Sequence, residues 1–187
     1  MRTDDPDLLQ LGTQLAQALK ADGCMMASAE SCTGGLIAAC CTGLSGSSDW
    51  FERGFVTYSN AAKTEQLGVP ATLIEAHGAV SEPVARAMAL GALAQSKAQA
   101  SVAVTGVAGP TGGSADKPVG LVWFGWAVGE QAWTECRRFD GDRDAVRAAT
   151  VGHALRGLLE RLTTPWNPRT FCAKALETPA NDETPLP

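Results

Sequence analysis

The sequence has no hydrophobic run near the ~18–20 residues needed to cross a bilayer, no basic excess, one tyrosine and two histidines. Twenty Asp and Glu stand against fifteen Lys and Arg, a formal net charge of −5. A protein that lives by contact with a phosphate backbone usually carries the opposite balance. Nucleic acid and membrane are therefore set aside as partners. The six cysteines Cys24, Cys32, Cys40, Cys41, Cys136 and Cys172 contain no Cys-x-x-Cys pair, and His77 and His153 stand alone. A zinc site needs ligand pairs at short spacing, so no metal site is expected. The amino terminus, Met1-Arg2-Thr3-Asp4-Asp5-Pro6, is acidic where a secretory signal is basic and then apolar. These absences predict a soluble, cytoplasmic protein, most of whose cysteines are small buried hydrophobes, without a structural disulfide.

What is present suffices for one core: 187 residues, 45% of them hydrophobic. Asp5 caps a helix with Pro6 in its first position, and Leu8, Leu11, Leu15 and Leu19 recur on one face. Residues 24–29 read as a doubly buried strand, followed by a polar turn and a helix over 36–41. A Ser/Gly loop at 43–49 leads to a strand over 51–59, then helices at 61–67 and 70–76 and one capped by Ser81. Residues 101–107 form a strand running into a glycine-rich loop. Strands at 119–128 and 132–139 flank a three-residue hairpin connection, Gly129-Glu130-Gln131. Asp142 opens the last helix, with Val151, Leu155, Leu158, Leu159 and Leu162 as its apolar stripe. The pattern predicts an α/β class fold: a layered α/β/α domain over residues 1–162, with a mixed sheet that includes a C-terminal β-hairpin. Residues 163–187 form a Pro-rich tail, with Trp166 and Phe171 as docking candidates and residues 178–187 expected to be disordered. Trp123 and Trp126 are either core or a face for a second copy, which leaves a homo-oligomer open.

Three segments combine tight backbone with reactive side chains. In Glu30-Ser31-Cys32-Thr33-Gly34-Gly35 a helix start follows a strand, an arrangement that can hold an anion or stabilise an oxyanion. Thr33 as a simple cap and the glycines as a simple turn remain the plainer alternative. In Tyr58-Ser59-Asn60-Ala61-Ala62-Lys63 the lysine is either a surface residue or a base whose pKa is lowered by burial. Serine with lysine is a known pair for amide hydrolysis, needing neither histidine nor metal. The third segment, Thr105 to Gly113, lacks a Walker A pattern but suits contact with phosphate or sugar, or is only a turn. A thiol nucleophile at Cys32 would want a histidine partner, and neither histidine lies in these segments.

Taken together these segments resemble the C-terminal domain of the CinA family. The likeness is carried by Ala29 to Gly35, Tyr58 to Lys63, His77-Gly78-Ala79-Val80-Ser81, Ala103 to Pro110 and Lys117-Pro118-Val119-Gly120-Leu121-Val122, in order across residues 5–162. The resemblance implies cofactor-free hydrolysis of the carboxamide of nicotinamide mononucleotide, giving nicotinic acid mononucleotide and ammonia for pyridine-nucleotide salvage. It implies Ser31 as nucleophile, Lys63 as general base and Tyr58 as an accessory polar group. Thr33, Gly34, Gly35, Thr105, Gly106 and Gly109 would line the nucleotide pocket, with Arg147 as a phosphate or oligomer contact. The alternative is a non-catalytic nucleotide-binding module. Larger CinA proteins add an N-terminal domain linked to ADP-ribose pyrophosphatase activity. Nothing before residue 5 would supply it, so that activity is not expected.

Overall fold

The computed structural model describes residues 5–163; the tail, with Trp166, Phe171 and Cys172, lies outside the described residues. The first helix, α1 (Pro6–Ala21), starts as its sequence dictates: the Asp5 carboxylate accepts from the N–H groups of Asp7 and Leu8. Then follow β1 (Met26–Glu30), α2 (Leu36–Thr42), β2 (Phe51–Val56), α3 (Asn60–Leu67), α4 (Ala71–His77), α5 (Glu82–Ala94), β3 (Ala100–Gly106), β4 (Leu121–Val128), β5 (Gln131–Arg138) and α6 (Arg143–Thr163).

The strands form one mixed sheet in the order β2-β1-β3-β4-β5. β1 runs parallel to both β2 and β3, and β3, β4 and β5 are antiparallel neighbours. Period-two alternation divides β3 between two cores. Ala100, Val102 and Val104 face the side covered by α1, α2 and α6, where Leu15, Ile37 and Leu155 are buried. Ala103 faces α3, α4 and α5 with Leu67, Ile74 and Met88. The layers are therefore α/β/α. Close approach on the second face depends on Gly91, where a Cβ would lie 2.1 Å from the Leu67 carbonyl oxygen.

Several expectations need correction. The hairpin connection has two residues, because Val128 pairs directly with Gln131. Ser81 stands at the N-cap of α5, but its hydroxyl donates to the Gly78 carbonyl rather than capping. Cys24 is disulfide-bonded, while Cys32, Cys40, Cys41 and Cys136 are free. Compartment sets the redox environment of a thiol and says nothing about which thiols the fold brings within bonding reach. Trp126 is core: it is fully buried, stacks on Phe124 and donates its indole N–H to the Ala154 carbonyl. Trp123 is half-buried. Among the described residues, no helix is long and apolar enough to cross a membrane.

Candidate active site

Because β1, β2 and β3 are parallel, their carboxyl ends lie along one edge of the sheet, the usual place for ligands in α/β folds. Glu30 is in register with Val56 on one side and Val104 on the other. The loops that follow these three strands are the three segments singled out above.

Ser31 is the first residue after β1, its N–H fixed on the Val104 carbonyl at 3.1 Å. Lys63 lies one turn into α3, whose start is capped by the Ser59 hydroxyl accepting from Ala62 N–H. That placement turns the lysine inward. Its side chain is 1% exposed, and Nζ donates to Ser31 Oγ at 3.1 Å and to the Thr57 carbonyl at 2.8 Å. Burial holds the amine below the ordinary lysine pKa, a displacement opposed by the nearby Cys32 sulfur. No salt bridge among the described residues involves it. The arrangement can deliver a hydroxyl to a desolvated amine that is able to take its proton. Cys32 cannot compete as a nucleophile, since burial pushes its thiol up to about 12.

The remaining predicted residues divide. Tyr58 is 62% exposed, and its hydroxyl accepts from Arg143 Nη2 at 3.1 Å rather than bonding Lys63. Arg147 lies beside Gly34 and donates to the Thr33 carbonyl at 2.8 Å. Gly109 offers its carbonyl to Arg143 Nη1 at 2.9 Å. Gly106 closes β3 against Val122. Thr33 and Thr105, expected to face the substrate, are buried with occupied hydroxyls, Thr33 on Glu30 and Thr105 on the Ala79 carbonyl. The Gly35 N–H, expected to meet an anion, is held by Glu30 Oε2 at 3.0 Å.

Sequence reasoning missed two residues. Glu30 was read only as part of a polar turn, yet it is fully buried and gathers the α2 amides. Arg143 ties the second segment to the third through Tyr58 and Gly109. With Arg147, one turn further along α6, it gathers all three segments around the start of that helix. The i, i+4 spacing of the two arginines was the available signal. Arg143 also borders a cleft of about 550 Å³ lined by Ala108, Pro110, Val119 and residues 141–144. No group of three or more His, Cys, Asp or Glu among the described residues is placed to hold a metal ion.

Fold and site together define a class: an α/β domain presenting a serine hydroxyl to a buried lysine amine at the carboxyl ends of parallel strands. Within it, residues 8–162 match the model of the CinA C-terminal domain, and the chain belongs to that family. It is 52% identical over 160 residues to a nicotinamide-nucleotide amidohydrolase PncC of Shigella flexneri, covering 84% of this chain and 96% of the relative. A Pseudomonas putida protein of the same name is 54% identical over 156 residues, covering 83% and 97%. Among solved structures, the competence/damage inducible protein CihA of Agrobacterium tumefaciens superposes with a TM-score of 0.83. It is 43% identical, covering 88% of this chain and all of that one.

Proposed function

We propose that this chain is a nicotinamide-nucleotide amidase, hydrolysing the carboxamide of nicotinamide mononucleotide to nicotinic acid mononucleotide and ammonia. The observation that carries the reading is the 3.1 Å contact between Ser31 Oγ and the buried Lys63 amine. The names of the relatives supply the substrate.

In this mechanism neutral Lys63 takes the Ser31 proton as Oγ attacks the carboxamide carbon. The amine then returns that proton to the departing nitrogen, releasing ammonia and leaving an ester on Ser31. Water, deprotonated by the same amine, cleaves the ester, and Lys63 gives the proton back to Ser31. The Thr57 carbonyl holds one N–H of the amine throughout, keeping the lone pair directed at the serine. The substrate phosphate is assigned to Arg143 and Arg147. Each guanidinium has five donors, so those spent on Gly109, Tyr58 and Thr33 leave others for an anion. Tyr58 acts through Arg143 as an accessory polar group, and Gly34 and Gly109 allow close approach of the nucleotide. The chemistry needs no cofactor and serves pyridine-nucleotide salvage in the cytoplasm.

The test is ammonia release from nicotinamide mononucleotide. The wild-type protein should release it and Ser31→Ala should not. Equal release by both removes Ser31 as nucleophile. Binding of the nucleotide by wild type with no ammonia formed would favour a non-catalytic binding module.

A further inference from the structure

The carboxylate of Glu30 is more heavily engaged than a helix cap requires. It closes β1, is wholly out of water, and accepts five hydrogen bonds. Oε1 takes Ser28 Oγ at 3.2 Å and Ala38 N–H at 2.8 Å. Oε2 takes Thr33 Oγ1 at 2.7 Å and the N–H groups of Gly35 and Ile37, each at 3.0 Å. Burying a carboxylate is costly unless its lone pairs are met, and here they are met by three backbone amides and two hydroxyls.

The unusual feature is where the cap comes from. A helix is ordinarily capped by the side chain of its own N-cap residue. The N-cap of α2 is Gly35, at φ 97°, with no side chain to offer. Its amides are instead held by a residue five positions earlier, on the strand, across the loop 31–34 that carries the serine. That loop is fixed at both ends. At its start, Ser31 N–H is bonded to the Val104 carbonyl and Thr57 N–H to the Glu30 carbonyl at 2.8 Å. At its end, the Glu30 side chain grips the first turn of α2. Lys63 hangs from the same Thr57 whose N–H meets Glu30.

We propose that Glu30 is a positioning residue, whose carboxylate clamps the serine loop and thereby sets Ser31 Oγ against the Lys63 amine. The same bonds withhold the α2 amides from the substrate, so that its phosphate falls to the α6 arginines. The proposal rests on the Ser31–Lys63 reading.

Glu30→Gln tests it with little change of shape. A carboxamide has only one oxygen, and its NH2 cannot accept from an amide. On one side it opposes Ala38 N–H; on the other it opposes those of Gly35 and Ile37. Ammonia release is measured for wild type, Glu30→Gln, Ser31→Ala and Met88→Ala. The last removes a buried side chain of α5 to match the loss of melting temperature. Misplacement of reacting groups by about 1 Å costs on the order of a hundredfold. Glu30→Gln should therefore lower kcat by about ten- to a hundredfold with KM within about threefold. Met88→Ala, melting as low, should keep its kcat. If Glu30→Gln does not fold, Glu30→Asp, which keeps the acceptors one methylene short, carries the same comparison. Wild-type kcat in the Glu30 variant, or an equal loss in Met88→Ala, overturns the positioning role and leaves the serine reading intact. Ammonia release by Ser31→Ala overturns both.

Discussion

Lys63→Met should abolish turnover and leave the fold close to its original stability. Methionine nearly matches the length of lysine and deletes only the amine. Loss of a positioned base costs about 10²–10⁴ in rate, which is roughly 3–5 kcal/mol at about 1.4 kcal/mol per decade. The stability side has two opposed parts. Burial lowers the pKa of the amine in the folded protein, so below that folded value the folded state carries a penalty for holding a proton there. Between the folded and unfolded pKa values the unfolded chain binds more protons, and stability rises with pH across that window. Methionine removes this penalty but strips the Thr57 carbonyl of its donor, at about 1–3 kcal/mol. The two effects offset, and the melting temperature should move by only a few degrees. Lys63→Arg separates a base from a mere donor, because arginine keeps charge and N–H groups but cannot surrender a proton. Both variants should be inactive in an ammonia-release assay. In the wild-type protein kcat/KM should climb with unit slope as Lys63 deprotonates and level off below the ordinary lysine value of ~10.4. An arginine variant with more than about a tenth of wild-type activity, against the loss expected for a missing base, would refute the reasoning. So would a plateau reached only at the ordinary lysine pKa or above.

Iodoacetamide at pH 8 should leave ammonia release intact, since Cys32 is a protonated, buried thiol; activity lost in step with Cys32 alkylation by mass spectrometry would contradict this. Arg147→Ala and Arg143→Ala should each raise KM for nicotinamide mononucleotide by about tenfold, the scale of one charge-assisted hydrogen bond. Nicotinamide riboside, which lacks the phosphate, should be affected far less by either change, and equal effects on both substrates would remove the phosphate assignment. Gly91→Ala should destabilise the fold by about 1–3 kcal/mol, because its Cβ would meet the Leu67 carbonyl at 2.1 Å. An unchanged melting temperature would refute the packing argument.

The layers were legible because their signals are local. Leu8, Leu11, Leu15 and Leu19 repeat at helical spacing, and the small and β-branched residues of β3 admit burial on both faces. The meeting of Ser31 and Lys63 was legible only as a conjecture: spacing says that each follows a strand, and the β1–β2 pairing that joins them is a long-range fact. Glu30 was hidden for a related reason. A glutamate beside a serine looks like any polar turn, and its partners on α2 become visible only when the helix folds back on the strand. Thr33 and Thr105 were read as facing a ligand because a hydroxyl in a glycine-rich loop does not announce its acceptor. Their acceptors are a buried carboxylate and a carbonyl 26 residues away. Arg143 lies at an exposed helix start, where an arginine is ordinarily unremarked.

β2 is one of the two edge strands of the sheet, hydrogen-bonded along one side only, and its pairing with β1 is already irregular near Met26. The lysine depends on that strand, whereas the serine depends on its better-supported neighbour. A slip of β2 by one residue would reverse the face that each of its side chains presents and draw Thr57, with the amine it anchors, away from the hydroxyl. On the Ser31–Lys63 reading, turnover should double as a gauge of how well the rim strand is seated, and lesions as remote as Phe51 should silence the chemistry while most of the domain stays intact.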